Sequence, residues 1–498
     1  MKPIIILSML GMLACWAEGA DYYVANQGDD GNPGDSPAAA WRTIAKANAS
    51  VAPGDTVHIL GGTYSEAIAP EASGTEEKRI TFKAHRKEKV LLTGVPLGIV
   101  MKDRAYVTVD GIACDQTEEY VRLENSHHVW ITNSTFDHSS ATDGWPNGVC
   151  ITQNSHHNRI SNCWIARVGY IQQSGRRGYR GGVMVIARGS DHNLIENSTL
   201  FYGGHHVVEI MTSHNVIRNN YFHNEKWMRC NGEECGYRNI IIEGTDAQRN
   251  VVEGNTFAFS GRLPSSRSTS GSSAFSLRTP RNIVRRNIFS NNAKSGLYFG
   301  ISEDMRHNHV YNNVFFHNGY NDAEGSRDAS GLFLLGRQIT DLIVVNNIFW
   351  QNKDGRAVSF RSRCDPAKQF FSHNWQEAGD PHFMNDEAPA DPFKPELLDF
   401  RLRATSPCID AGDFLTHTTA DGQGTAIQVA DAGFFTDGYG VVEGDLIQLE
   451  GDTRRLRVLQ VDCDGNVIQI DAPVAWRAGQ GVSQPFSGAR PDIGAYEH

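Results

Sequence analysis

The sequence predicts an all-β solenoid, on three observations. First, a short apolar run, an Asn and a bulky apolar residue recur eight times. The copies are VWITNSTF (129–136), NRISNCWI (158–165), NLIENSTL (193–200), NVIRNNYF (215–222), NVVEGNTF (250–257), NIVRRNIF (282–289), NHVYNNVF (308–315) and LIVVNNIF (342–349). Each such unit can bury its apolar face only against its neighbours, so the units stack around one continuous core. Second, 49 glycines and a heavy use of Asn suit short strands joined at tight corners. Third, Asn197 and Asn220, read as successive ladder positions, lie 23 residues apart. That distance accommodates three strands of about 4–6 residues with tight turns.

The elements follow in chain order. Met1-Lys2 precedes IIILSMLGMLA, an apolar run too short for a membrane span, and then small residues. Residues 1–20 are therefore expected to be a signal peptide, cleaved near Ala17 or Ala20. The protein is expected to be exported to the periplasm or the exterior, with Cys15 in MLAC as an alternative lipid-anchor site. AWRTIAKANASV (40–51) is the one good helix candidate, ended by Pro53-Gly54. TVHILGGTY (56–64), RITFKA (79–84) and YVTVDGI (106–112) read as short strands. From about 126 to 375 each unit has three strands, most clearly NIIIEG (239–244), NVVEG (250–254) and TFAFSG (256–261). Excess length falls at one place in the unit, in insertions 138–147, 167–181, 224–237, 260–273 and 319–329. A solenoid that keeps its insertions on one side uses that side for binding. Asn at each corner tolerates left-handed backbone and can hydrogen-bond to the next coil, a structural role. The pairs His127-His128 and His156-His157 read as turn residues.

Composition narrows the function. The net charge of −11 excludes a whole-molecule affinity for nucleic acid. Nothing after the leader is long and apolar enough to span a bilayer. Eight cysteines follow Cys15, and export permits disulfides. Cys230 and Cys235 in MRCNGEEC are placed to close a small loop, and no Cys/His spacing resembles a zinc site. No organic-cofactor motif is present, and a monomer is expected.

Strand alternation places the chemistry. With Val149/Ile151, Val183/Val185, Val208/Ile210, Ile240/Ile242, Phe275/Leu277 and Leu297/Phe299 inward, Glu209, Glu243 and Arg278 are predicted to stack outward on three successive coils. Tyr298 follows on the next coil, one pleat over. The insertions add Arg176, Arg177, Arg180, Lys226, Tyr237, Arg238, Arg262 and Arg267, with Arg188 close by and His205-His206 just before Glu209. So many guanidiniums in an acidic protein predict an anionic ligand such as a uronate polysaccharide.

The pattern resembles the right-handed parallel β-helix proteins of the pectate-lyase-like superfamily, over most of residues 21–412. NPGDSPAAAWRTIAKANASVAPGDTVHILGGTY resembles their N-terminal cap, and SPCIDAGD (406–413) and RPDIGAYEH (490–498) resemble two halves of their last coil. The resemblance implies a β-helix over 21–412, a small β domain inserted at 413–489, and a return to the last coil at 490–498. Alternating strands and a DGN turn mark the insert as antiparallel β structure, read as a stabilising cap in preference to a carbohydrate-binding accessory. HHVVEIMT, NIIIEGT and AFSLRT are similar in placement to the site of alginate lyase and chondroitinase B type enzymes. That likeness implies a polysaccharide lyase acting by β-elimination, with Glu209 and Glu243 binding Ca²⁺ and Arg278 pairing with the uronate carboxylate. TDAQRN after Glu243 lacks the Lys the likeness implies, which leaves proton transfer to His206, Lys226, Tyr237 or Tyr298. Glycoside hydrolysis by the Glu209–Glu243 pair, uronate epimerisation, and non-catalytic glycan binding are the competing readings.

Overall fold

The computed structural model describes residues 19–141, 145–169, 181–230, 233–261, 273–302, 304–320, 329–361, 363–387 and 390–498. Among them the strands form three parallel sheets, of thirteen, twelve and ten strands. Each coil gives one short strand to each sheet, and equal positions pair in register. Ile240 pairs with Val208 and Phe275, Val252 with Ile217 and Val284, and Phe257 with Phe222 and Phe289. The chain thus winds as a right-handed parallel β-helix. Its core is a continuous stack of inward residues, including Phe222, Phe257, Phe289, Phe315 and Phe349 with ring centroids 4.7–5.2 Å apart. The N-terminal helix α1 spans Ile44–Ser50, capped by the Thr43 hydroxyl, which accepts from the Lys46 N–H. No helix among the described residues is long and apolar enough to cross a membrane.

The corner chemistry divides between two residues that the repeat appeared to combine in one. Asn133, Asn162, Asn197, Asn219, Asn312 and Asn346 carry positive φ and turn the chain. The next residue, buried, forms the ladder. The Asn255 carboxamide oxygen accepts from the Asn220 N–H (2.9 Å), and its amide donates to the Ile217 carbonyl (2.8 Å) and to Asn287 (3.1 Å). Asn197 is therefore equivalent to Asn219, not to Asn220, whose counterpart is Ser198. Two further ladders mark the other corners. One runs Asn158, Asn193, Asn215, Asn250, Asn282, Asn308, and a shorter one Asn292, Asn318, Asn352. Asn255→Ala leaves buried backbone and side-chain groups of two coils unpaired. It is expected to cost about 2–3 kcal/mol of stability, read as a lower denaturant midpoint.

Two of the three outer faces are covered. The first sheet points Leu194, Val216, Val251, Ile283, Tyr311 and Val345 outward, into one apolar cluster with the inserted domain. That domain is a six-stranded antiparallel arrangement running from Thr416–His417 to Gly481–Ser483. It packs along the outer face of the first sheet. Arg285 anchors it. The guanidinium, 2% exposed, donates to both Asp445 carboxylate oxygens (2.6 and 2.7 Å), to Glu253 (2.8 Å) and to the Tyr311 hydroxyl (3.0 Å). The second sheet is covered by the hairpin of Phe383–Asn385 and Asp399–Leu402, whose Phe383, Phe400 and Leu402 pack on Ile288, Val314 and Phe316. The two halves of the last coil meet, with the Gly412 N–H donating to the Pro491 carbonyl (2.8 Å) and the Ile493 N–H to the Cys408 carbonyl (2.9 Å). Cys114, Cys150, Cys163, Cys364, Cys408 and Cys463 are free thiols. The side chains of Cys230 and Cys235 lie outside those described. Neither the inserted domain nor the hairpin covers the outer face of the third sheet among the described residues, and the insertions of the repeat all lie between a second-sheet strand and a third-sheet strand.

Candidate active site

Five strands of the third sheet carry the candidate residues: β1 (Gly182–Ile186), β2 (His206–Ile210), β3 (Arg238–Ile242), β4 (Phe275–Leu277) and β5 (Leu297–Phe299). Their inward columns are Met184, Val208, Ile240, Phe275, Leu297 and Ile186, Ile210, Ile242, Leu277, Phe299. Val185 therefore faces out, where an inward position was expected. Glu209 shares a column with Val185, Ile241, Ser276 and Tyr298, while Glu243 and Arg278 follow one pleat further along. Glu209 thus lies diagonal to Glu243 and not directly beneath it. The run GVMVI is apolar on both faces, so alternation gives no phase in it.

The acids nevertheless meet. The Glu209 and Glu243 carboxyls lie within hydrogen-bond reach of each other. Burial, and then the neighbouring Glu243, push Glu209 up to about 7. Arg278 donates from Nη1 to Glu243 Oε2 at 2.6 Å, and both side chains are just over a quarter exposed. The Arg278 Nε finds no partner. Gly300 makes room for this guanidinium, since a Cβ there would lie 2.9 Å from Nε. His206, fully buried, sets Nε2 3.4 Å from Glu209 Oε2, and its Nδ1 lies 2.9 Å from Nδ1 of His205. Burial keeps both imidazoles neutral, with His205 lowered to about 4.

Arg238 is the least compensated charge of the cluster. Only 2% exposed, it donates from Nη2 to the Tyr237 hydroxyl (3.0 Å) and lies over that ring, 4.7 Å from its centroid. Among the described residues its Nε and Nη1 have no partner. Burial of a guanidinium without a carboxylate costs several kcal/mol, and burial lowers its pKa accordingly. The Tyr237 ring lies tilted against His205 (4.9 Å), which in turn meets the half-exposed Trp145 (5.2 Å). Trp145 gave no signal in the repeat because it sits on an insertion.

Glu209, Glu243, Arg278, His206, Tyr237 and Arg238 are thus brought together, with Tyr298 in the Glu209 column, its ring stacked on Phe333 (5.5 Å). Lys226 is not part of this group. It is exposed beyond the second-sheet strand Tyr221–Asn224 and makes no hydrogen bond or ion pair with the cluster among the described residues. Arg188 also stands apart, exposed at the turn after β1, where its carbonyl accepts from the Asn154 N–H. Both departures arise because insertions and turns aim their side chains independently of strand alternation. Arg176, Arg177, Arg180, Arg262 and Arg267 lie outside the described residues.

Among the described residues the expected calcium site is short of ligands. Ca²⁺ takes about 6–8 oxygen ligands. Glu209 and Glu243 supply two carboxylates, and one oxygen of Glu243 is already held by Arg278. Among the described residues no group of three or more His, Cys, Asp and Glu is arranged to hold a metal ion.

Residues 176–371 match a family model described as right handed beta helix region. Uncharacterized protein YwoF of Bacillus subtilis (strain 168) is 29% identical over 141 residues, covering 28% of this chain and 27% of that protein, so the match spans about a quarter of that relative. Among solved structures, pectate lyase Pel9A aligns over 97% of each chain at 15% identity and a TM-score of 0.49. A rhamnogalacturonan lyase aligns over 78% of this chain and 97% of its own at 16% identity and 0.48. The PL6 family alginate lyase AlyGC aligns over 71% and 51% at 16% identity and 0.44.

Proposed function

We propose that this right-handed parallel β-helix protein is an exported polysaccharide lyase that cleaves a uronate-containing glycan by β-elimination on the open face of the third sheet. The observation that carries the reading is the buried Arg238 guanidinium held against the Tyr237 hydroxyl. An otherwise uncompensated buried cation marks a functional site, and this one is placed to stabilise negative charge on the phenol oxygen. A glutamate tuned to about 7 beside it has the pKa of a general base near neutrality.

The groups then have separable tasks. Arg278, facing the groove, pairs with the substrate carboxylate and offsets the charge that builds up as the neighbouring carbon loses its proton. Glu209, ionised, takes that C5 proton. The electrons of the broken C–H bond form the C4–C5 double bond, the C4–O bond breaks, and Tyr237 donates its proton to the departing oxygen. His206, neutral and buried, lines the site beside the Glu209 carboxylate. Proton abstraction by Glu209 replaces both the calcium role expected of it and the missing Lys.

Polygalacturonate, alginate and chondroitin, each with and without chelator, test the reading. An ultraviolet-absorbing unsaturated product on at least one of them, unaffected by chelator, is the expected result. Reducing ends without absorbance would establish hydrolysis instead, and no product with retained glycan binding would mark a non-catalytic binder.

The pH profile gives a second check. Glu209 must be ionised to act, so kcat/KM is expected to rise through an apparent pKa of about 7. Glu209→Gln should abolish turnover. The same shift has a stability consequence of opposite sense. A carboxyl whose folded pKa lies above its unfolded value contributes stability at pH below the unfolded value, and loses it as pH rises through about 7. Glu209→Gln should therefore unfold at a higher temperature than the parent above pH 7. Export is tested by the mass of the mature protein recovered outside the cytoplasm, which should lack residues 1–20 or their greater part.

A further inference from the structure

A second cleft lies away from the third sheet, between the corner that precedes the first sheet and the inserted β domain. It encloses about 630 Å³. One wall is a single column of corner residues, His192, His214, Arg249, Arg281 and His307, all with φ of 51–57°. Successive coils bring members of this column about 4.8 Å apart. The imidazoles stack along it, with His128, His157, His192 and His214 at centroid separations of 5.0–5.2 Å. The opposite wall is built by the inserted domain, including Asp431, Tyr439 and Asp464. The Tyr439 ring stands edge-on to His214 at 5.0 Å.

Most polar groups of the cleft are committed within the protein. Asp431 accepts from His309 (2.9 Å) and from the Gly433 N–H (2.8 Å), and Asp437 accepts from the Tyr439 N–H (3.1 Å). The Arg249 and Arg281 side chains, by contrast, make no hydrogen bond or ion pair among the described residues. Two like charges on adjacent coils repel each other, so their placement in one cleft favours an anion between them. The stacked imidazoles turn their edges to the cleft, the Tyr439 ring adds apolar surface, and Asp464 adds an acceptor for hydroxyl groups. Carboxylate, flat apolar face and hydroxyls are the chemistry of an acidic sugar.

We propose that this cleft is a binding site for an acidic oligosaccharide, with a uronate carboxylate held between Arg249 and Arg281 and the sugar against the His214–Tyr439 rings. The site is separate from the Glu209 cluster and does not depend on that cluster being catalytic.

Titration calorimetry with saturated tri-galacturonate and tri-mannuronate, and separately with inorganic sulfate, tests it. The protein carries Glu209→Gln in every arm, so no probe is consumed. Both corner residues are replaced by Asn, which tolerates the left-handed backbone of these positions, and folding is checked by circular dichroism. Arg249→Asn/Arg281→Asn is expected to weaken trisaccharide binding about tenfold or more, as loss of two charge-assisted contacts implies. Arg238→Met, which alters only the third-sheet cluster, should leave this binding event in place. Unchanged binding in the double Asn variant overturns the proposal, as does binding lost with Arg238→Met alone. Absence of trisaccharide binding, or binding of sulfate only, also overturns it. Failure of the lyase assay alone leaves this outcome unaffected, so the two readings fail separately.

Discussion

Arg238→Met is expected to lower kcat/KM by about 10²–10³, the usual effect of removing one preorganised donor to a developing oxyanion. It should do so without destabilising the fold. The guanidinium is buried with two nitrogens unpartnered, so its replacement by an apolar chain of similar length removes a desolvation penalty. Thermal unfolding should occur at the same temperature or higher. The split between kcat and KM adds a readout that a structural residue would not move: kcat should fall with KM little changed. A large loss of stability with kcat unchanged would make Arg238 a structural residue and remove the main support for Tyr237 as the acid.

Arg285→Ala carries the largest expected effect on stability. It strips the partner from the buried Asp445 carboxylate and from Glu253, and empties the site beneath Tyr311. Breaking a buried pair by removing one member costs about 3–5 kcal/mol. The loss falls on the contact between the first sheet and the inserted domain, so that domain should become sensitive to protease before the β-helix does. Arg285→Met with Asp445→Leu removes both charges and should recover much of the loss. Urea unfolding of the three proteins, followed alongside limited proteolysis, measures both points. If the single and double variants are equally unstable, packing volume holds the domain and the ion pair does not.

The solenoid was legible because each corner of a coil needs a residue that accepts positive φ and a buried group that pairs with the next coil. Those two needs recur with the repeat as Asn. The strand triplet at Arg238–Ile242, Val251–Glu253 and Thr256–Ser260 falls where the sequence puts it. What the repeat did not show is which of two neighbouring corner residues does which task, because both are often Asn, as at Asn219-Asn220 and Asn312-Asn313. The phase of β1 was illegible for a different reason. Runs such as GVMVI are apolar on both faces, so only the paired strands fix which residues turn inward. The docking of the inserted domain did leave a signal. Leu194, Val216, Val251 and Ile283 occupy outward positions of the first sheet, and a column of exposed apolar residues calls for a cover.

The candidate site was legible as a neighbourhood more than as a mechanism. Glu209, Glu243 and Arg278 stand out as the charged residues of otherwise apolar strands, and they converge. Their pairing is different from the expected one, since Arg278 binds Glu243 and Glu209 is left to share contact with it. Tyr237 and Arg238 were visible only as members of an insertion. Their hydrogen bond, which now carries the functional reading, depends on how the chain enters β3, and no periodicity encodes that.

The central claim is that bond cleavage here is elimination. It is tested most directly by digesting the responsive polyuronide in heavy-oxygen water and weighing the products. The account predicts unsaturated oligosaccharides that carry no label at the newly formed ends, and none of them with Glu209→Gln. Saturated products with one heavy oxygen per cleavage would show that water entered the bond, and would contradict it.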